Sequence, residues 1–364
     1  MGEEAKERLS RALNDHLNTI HETFQILDKK EPSTVEKVSW KDVIQMGEQL
    51  SKQATMVGVL WTGETPEVKV LEENMASYFN ILQGFLLISH GSSVGAGPTL
   101  SSCIHLSVKQ VVDSSFTLLK EAISSYGSHS KTEKVPIPQL VGTVWEACSA
   151  LKKTPSTNIT AIGRAMTQVA VSMKDVLREM NELKPASSDI SDEASAEASQ
   201  VKENNPNDSD DSLCEDLGND LSPEEMKIAE LTTAVVSGTL GVVKELIRSI
   251  TTLLKQEGVD AQTEFIDHME KLLRSSQGLG IQIDELGACL YPPQEISSMK
   301  AALAKLSSIL DETNRELENL KGSAEDISQA CSNLKSSIKQ LDSVLDSANE
   351  VSIESMLEAL VVNK

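Results

Sequence analysis

The organisation of the chain follows from one stretch, Lys184–Glu225, which reads KPASSDISDEASAEASQVKENNPNDSDDSLCEDLGNDLSPEE. Ser, Asp, Glu and Asn dominate this stretch, and large apolar side chains are almost absent from it. A segment of that composition buries too little apolar surface to offset the entropy lost on ordering it. It therefore predicts a disordered acidic linker at residues 184–221, between folded parts at 1–183 and 222–364.

The end of this stretch is typical of a helix start. Ser222 can cap a helix, Pro223 suits the first helical position, and Glu225 completes a capping box three residues after the Ser. The second folded part is therefore expected to begin with a helix at Ser222.

Both flanking parts carry apolar residues at alternating spacings of three and four, which is the pattern of amphipathic helices. The pattern predicts helices near residues 3–29, 37–61, 67–90, 99–126, 158–183, 223–258, 260–290, 293–321 and 323–349. It also predicts a shorter helix that holds Val141 to Leu151, and a short amphipathic tail at 353–362. No convincing strand-like alternation occurs. The predicted fold is all-α, with two antiparallel helical bundles joined by the linker.

Composition limits the function classes. The net charge is −22, of which the stretch Lys184–Glu225 supplies about half. No cluster of Lys or Arg is longer than a pair, so direct nucleic-acid binding is not expected. The five cysteines are scattered without a CxxC motif, which favours a reducing intracellular compartment. Without an apolar run of about 18 residues, no membrane span is expected.

The sequence contains no recognisable catalytic, cofactor-binding or metal-binding constellation. Gly91–Pro98 (GSSVGAGP) is the nearest approach to a phosphate-binding loop, but no Lys follows it and the preceding segment is predicted to be helical. We therefore interpret it as a connection between helices. No nucleophile, base or ligand cluster emerges elsewhere, so the prediction is a non-enzymatic protein without cofactor or metal.

Two interpretations of the acidic stretch remain open from sequence. One is an inert spacer. The other is a regulated segment, because Ser212 and Ser222 each precede a Glu by three residues, the pattern that acidophilic kinases recognise. A phosphate on Ser222 would lie at a helix N-terminus, where the helix dipole favours negative charge. Ser212 and Ser222 are therefore the candidate phosphorylation sites.

Two short motifs carry a resemblance to a known family. They are Val144-Trp145-Glu146-Ala147-Cys148 and Leu290-Tyr291-Pro292-Pro293, and the segment Ala301–Leu310 (AALAKLSSIL) follows the second. In these motifs, and in the order of helical half, acidic segment and helical half, the chain resembles the cyclin-D-binding protein family, also called Maid or GCIP (Grap-and-cyclin-D-interacting protein). The similarity per residue is that of a distant homologue, such as a plant one.

The resemblance implies an all-helical fold related to the five-helix bundles of vinculin and talin. It implies a regulatory protein of the nucleus and cytoplasm that binds D-type cyclins or helix-loop-helix transcription factors and restrains the cell cycle. The resemblance implies no catalytic residues, because the family has none that could be matched to positions of this sequence. The alternative is a cytoskeletal or scaffolding adaptor whose bundle accepts an amphipathic partner helix.

The positions that match the family are Trp145, Cys148, Tyr291, Pro292 and Pro293. The two aromatic residues and the Cys lie in or beside apolar stripes, where large side chains usually face a core. We therefore predict that these matching positions are packing residues.

Overall fold

A computed structural model describes residues 2–25, 37–62, 67–126, 136–185, 220–253, 263–319 and 324–362. Its helices are α1 (Gly2–Phe24), α2 (Trp40–Thr62), α3 (Val68–Ser92), α4 (Pro98–Ser125), α5 (Ile137–Ala150), α6 (Asn158–Met180), α7 (Pro223–Leu253), α8 (Thr263–Ala288), α9 (Ile296–Asn319) and α10 (Ala324–Val362). The strands within the described residues are two residues long, β1 (Lys184–Pro185) and β2 (Asp220–Leu221). The all-α prediction is confirmed.

The chain divides into two compact units. Unit 1 comprises Met1–Ile162 and Leu254–Glu270, and unit 2 comprises Gly163–Leu253 and Lys271–Lys364. This division differs from the predicted one at residues 184–221, because α6 and α8 each contribute to both units. Composition marks where a chain is polar, but it does not show which long-range contacts a helix makes.

Unit 1 contains α1 to α5 and the first residues of α6 and α8. Antiparallel packing of α2 on α5 depends on glycine: a Cβ at Gly47 would lie 2.6 Å from Leu151 Cδ1, and one at Gly58 would lie 2.9 Å from Val141 Cγ2. The backbones can approach this closely because neither glycine has a side chain. Between these helices and α3 and α4 lies a core that includes Tyr78, which is fully buried.

Unit 2 contains most of α6 and α8 together with α7, α9 and α10. Helix α10 packs against α7 and α9. The ion pairs Lys300–Asp346 and Lys335–Asp311 show that α9 and α10 are antiparallel.

Helix α7 is the one helix of the described residues that is long and apolar enough to cross a membrane by composition alone. The structure accounts for this composition by burial within the unit. Val235, Val236, Val242 and Val243 are all 0% exposed. A helix of this kind in the core of a bundle has the same apolar content as a membrane span.

The predicted short tail at residues 353–362 is wrong as a separate element. Helix α10 runs without interruption through Ala324–Val362. The sequence between the predicted helix and the predicted tail, Glu350-Val351-Ser352, contains neither Gly nor Pro, so nothing there ends a helix.

The two ends of the acidic stretch lie side by side. Strands β1 and β2 are parallel, with Lys184 opposite Asp220 and Pro185 opposite Leu221. Leu221 is fully buried, and both strands belong to unit 2. The residues on either side of the acidic stretch therefore pair with each other within unit 2. The interior of the stretch, residues 186–219, lies outside the described residues.

The pairing of β1 with β2 leads to a testable prediction about the residues between them. Replacement of residues 187–218 by a short Gly/Ser turn of about six residues is expected to preserve the fold and to raise the free energy of unfolding by about 1–2 kcal/mol, because closing a shorter loop costs less entropy. Chemical denaturation followed by circular dichroism measures the change. A variant with residues 187–218 scrambled controls for composition and is expected to match the parent chain. Loss of helical signal in the shortened chain would contradict the prediction.

Candidate protein-contact site

Trp145 lies on the surface of unit 1 rather than in its core. Its side chain is 46% exposed, and its Nε1–H donates to Ser51 O at 3.1 Å and to Thr55 Oγ1 at 3.2 Å. The predicted core position of Trp145 is therefore wrong. On α5 the buried stripe is Val144 and Cys148, and Trp145 stands at the edge of that stripe, over α2. Since two acceptors on α2 hold the indole, it is presented to solvent in a fixed orientation.

Cys148 lies one helical turn beyond Trp145 and faces inward. It is 5% exposed, consistent with the packing role proposed for it. Burial raises the pKa of the Cys148 thiol, and a hydrogen bond with the Ser51 side chain opposes that shift only in part. A thiol with a raised pKa is a poor nucleophile. Cys148 faces α2, where a Cβ at Gly47 would lie 3.9 Å from the Cys148 Cβ.

An exposed apolar residue extends the surface around Trp145. Val59 lies one turn beyond Thr55 on α2 and is 64% exposed. We call the surface formed by Ser51, Thr55, Val59 and Trp145 the α2–α5 face. Tryptophan is enriched among the residues that dominate protein–protein binding energy, and a side chain that is already fixed loses little entropy on binding. The α2–α5 face is therefore suited to contact another protein.

The second motif also lies at the surface. Tyr291 is 45% exposed and follows the end of α8, so its predicted core position is wrong too. Pro292 is half-buried and Pro293 is exposed. The core positions here are the preceding Cys289 and Leu290, which are 5% and 0% exposed. The chain turns between α8 and α9 at this point, and the turn directs Tyr291 outward.

The helix start at Ser222 is confirmed. Ser222 N–H donates to Glu225 Oε2 at 2.9 Å, and Glu225 N–H donates to Ser222 Oγ at 3.2 Å. A phosphate on Ser222 Oγ would replace this cap beside the Glu225 carboxylate, so like-charge repulsion would oppose the favourable helix dipole. Phosphorylation of Ser222 stays a prediction, and Ser212 lies outside the described residues.

The glycine loop connects α3 to α4, as predicted. Gly95 has a φ of +75°, a conformation that glycine adopts without strain. Asn158 fixes the loop on both sides: its Oδ1 accepts from Gly97 N–H at 2.7 Å, and its Nδ2 donates to Gly95 O at 3.1 Å. Asn158 is 1% exposed, so the loop is held from within unit 1.

Glu270 caps α4 from a distant part of the sequence. Its Oε1 accepts from Thr99 N–H at 2.9 Å, and its Oε2 accepts from the Thr99 hydroxyl at 2.7 Å. Glu270 is 7% exposed. Its carboxylate occupies the place at a helix N-terminus that an external anion would otherwise take. Sequence reasoning missed Glu270 because no local pattern links it to a helix so far away in the chain.

Within the described ranges, no group of three or more His, Cys, Asp or Glu residues is arranged to hold a metal ion.

Polar groups in the core of unit 1 form hydrogen bonds with one another. The Tyr78 hydroxyl donates to Ser115 Oγ at 2.8 Å, and the Ser115 hydroxyl donates to Val111 O at 2.7 Å. Burial raises the pKa of the Tyr78 hydroxyl, so this group stays protonated and remains a hydrogen-bond donor inside the core.

Comparison with known proteins relates both halves of the chain to one family. The profile described as Grap2 and cyclin-D-interacting, N-terminal, matches residues 42–186, and the corresponding C-terminal profile matches residues 207–315. The cyclin-D1-binding protein 1 homolog of Xenopus laevis is 23% identical over 219 residues. That alignment covers 59% of this chain and 59% of the frog protein. The N-terminal match includes the α2–α5 face.

Proposed function

The chain belongs to the Grap2 and cyclin-D-interacting protein family, and on that premise we propose that it is a non-enzymatic regulatory protein that binds a D-type cyclin. The frog relative is named for binding cyclin D1. Binding of this kind would restrain progression through the cell cycle. The proposal places the protein in the cytoplasm and the nucleus.

The fixed and exposed Trp145 is the observation that carries this proposal. It lies in the N-terminal family match, on a surface that two helices hold rigid. Rigid aromatic side chains surrounded by smaller neighbours are the usual anchors of protein interfaces. We therefore assign the cyclin contact to the α2–α5 face.

Substitution of Trp145 by Ala is expected to weaken cyclin binding about 30-fold, which corresponds to about 2 kcal/mol for the loss of an interface anchor. Val59→Asp is expected to weaken binding as well, because a charge would be buried without a partner. Leu106→Asp on α4 is the matched control, since Leu106 is 63% exposed and Val59 is 64% exposed. Calorimetric titration of the purified chain with a D-type cyclin of the same organism measures the affinities.

The three variants separate the possible results. Circular dichroism confirms that each variant is folded before its affinity is compared. Failure of the folded parent chain to capture any D-type cyclin would contradict the proposed function. Equal affinities for the Val59 and Leu106 variants would leave cyclin binding in place and contradict the assignment to the α2–α5 face.

The second class of partner that we propose is a helix-loop-helix transcription factor. The chain has no basic segment longer than a pair of Lys residues, so it would sequester such a factor rather than read DNA beside it. Capture of these factors from a nuclear extract of the same organism, with the cyclin as a competitor, tests this second proposal.

The alternative function is a cytoskeletal or scaffolding adaptor, and co-sedimentation with actin filaments tests it. Filament binding without capture of a D-type cyclin or a helix-loop-helix factor would favour this alternative.

A further inference from the structure

A groove opens in unit 1 where α2 begins. Its volume is about 620 Å³, within the range of pockets that hold small ligands or several peptide side chains. Three lysines line it, Lys37, Lys41 and Lys152, together with the apolar side chains of Trp40, Ile44 and Ile104. We call it the lysine groove.

The charge of the lysine groove is opposite to that of the protein. The chain carries 55 acidic and 33 basic residues, yet no Asp or Glu is among the described residues that line this groove. Two other grooves of similar size do contain acids: Glu73 lines one, and Asp175 lines the other. Positive charge is thus concentrated at a concave surface of an acidic protein, which attracts an anionic partner.

The lysines are available to such a partner. Lys37 and Lys41 are exposed and form no ion pair with any residue that the structure describes. Lys152 pairs with Glu48 at 2.9 Å, but the two side chains are 58% and 55% exposed. An exposed pair contributes little to stability, so an incoming carboxylate can replace Glu48 as the partner of Lys152.

The apolar floor of the groove is fixed in position. Trp40 is 8% exposed, and its Nε1–H donates to Leu151 O at 3.0 Å. Beside it, Val38 N–H donates to Gly91 O at 3.1 Å, which ties the start of α2 to the end of α3. Ile104 of α4 closes the floor and is 3% exposed. A fixed floor beneath a positive rim suits one apolar side chain flanked by negative groups.

From these features we propose that the lysine groove binds an acidic segment of a partner protein, in which an apolar side chain is flanked by carboxylates or phosphorylated residues. The inference rests on the proposed function, because it supplies a second contact surface for a protein partner. A peptide fits better than a lipid surface, since the apolar residues lie at the bottom of a concave groove and cannot insert into a membrane.

Fluorine NMR of the intact chain labelled with 5-fluorotryptophan tests the proposal. The protein contains three tryptophans, Trp40, Trp61 and Trp145, and single Trp→Phe variants assign their signals. The probe is a short synthetic peptide of Glu and Asp residues around one Leu, with a Gln and Asn version as the neutral control. As the acidic peptide is added, the chemical shift of the Trp40 signal is expected to change until binding saturates. The chemical shifts of the Trp61 and Trp145 signals are expected to stay unchanged.

Charge variants show whether the lysines carry the binding. The combined Lys37→Glu, Lys41→Glu and Lys152→Glu substitutions are expected to reduce the affinity at least about tenfold. Substitution of Glu48 by Gln frees Lys152 and is expected to strengthen binding about threefold. Three exposed lysines that lie outside the groove supply the matched control. The control substitutions, Lys120→Glu, Lys174→Glu and Lys305→Glu, are expected to change the affinity much less.

Several outcomes would overturn the inference. Absence of a saturable Trp40 signal shift would do so, and so would equal losses of affinity in the groove and control variants. Binding of phosphatidylserine vesicles that depends on the three groove lysines, without binding of the peptide, would assign the groove to a membrane instead. If the peptide fails to bind while the intact chain still captures a D-type cyclin, this inference falls and the proposed function stands.

Discussion

Separate chains that cover residues 1–185 and 220–364 are expected not to fold alone and to assemble into a one-to-one complex when they are mixed. The reason is that each compact unit contains helical residues from both sides of the acidic stretch. Unit 1 needs the described residues of Leu254–Glu270, and unit 2 needs the part of α6 that begins at Gly163. A cut within the acidic stretch removes no helix from the described structure, but it separates the start of α8 from unit 1 and most of α6 from unit 2.

The contacts of α6 in unit 2 show what the first half lacks when it is alone. A Cβ at Gly287 of α8 would lie 2.8 Å from Val176 Cγ1, and one at Gly163 would lie 3.3 Å from Ile250 Cγ2. Met166 and Met173 are both fully buried. Without the second half these side chains are exposed to water, and each buried side chain of this kind contributes about 1.5–3 kcal/mol.

Mixing experiments measure this effect directly. Size-exclusion chromatography with light scattering gives the mass of each half and of the mixture, and circular dichroism gives the gain in helix on mixing. A first half that carries Met166→Asp and Met173→Asp is the control and is expected not to associate, whereas Val171→Asp, at a residue that is 54% exposed, is expected to be tolerated. Two halves that fold as monomers and remain apart would contradict the exchange of helices between units.

Most helices could be predicted from the sequence because their determinants are local. Apolar spacing, loop glycines and prolines, and the capping box of Ser222 and Glu225 all act within a few residues of the helix that they define. The predicted ends agree with the structure to within a few residues for α2, α3 and α4. Local patterns therefore determine where helices form in this chain.

The sequence did not reveal what depends on long-range contacts. Pro185 pairs with Leu221, so the two ends of the acidic stretch lie side by side, and no pattern in that stretch indicates this pairing. The prediction of a core position for Trp145 is wrong for a related reason. Apolar spacing places it beside the stripe of Val144 and Cys148, but only the position of α2 determines that its indole lies outside.

Substitution of Glu270 by Ala is expected to lower the free energy of unfolding of unit 1 by about 3 kcal/mol. The change removes two hydrogen bonds to a charged group, each worth about 1.5–3 kcal/mol, and leaves the N–H and hydroxyl of Thr99 without these partners. It also removes a negative charge from the N-terminus of α4, where the helix dipole stabilises it. Glu270→Gln is expected to cost about half as much, because the amide oxygen can still accept one of the two bonds.

A local measurement distinguishes the loss of this cap from a general loss of stability. Hydrogen exchange followed by mass spectrometry is expected to show faster exchange at the start of α4 in Glu270→Ala. Asp267→Ala, one turn earlier on α8 and exposed, is the matched control and is expected to leave that exchange unchanged. Faster exchange confined to α8 would contradict the capping role of Glu270.

A double-mutant cycle with Thr99 tests whether the two residues act together. Thr99→Val removes the hydroxyl that donates to Glu270 Oε2 and keeps the backbone N–H that donates to Oε1. Directly bonded residues show interaction energies of about 0.5–3 kcal/mol, so the effects of Thr99→Val and Glu270→Gln are expected not to add. Additive effects would mean that Glu270 stabilises unit 1 through its other contacts. A measured coupling would establish that the N-terminal family half needs a carboxylate from the C-terminal half to begin its fourth helix.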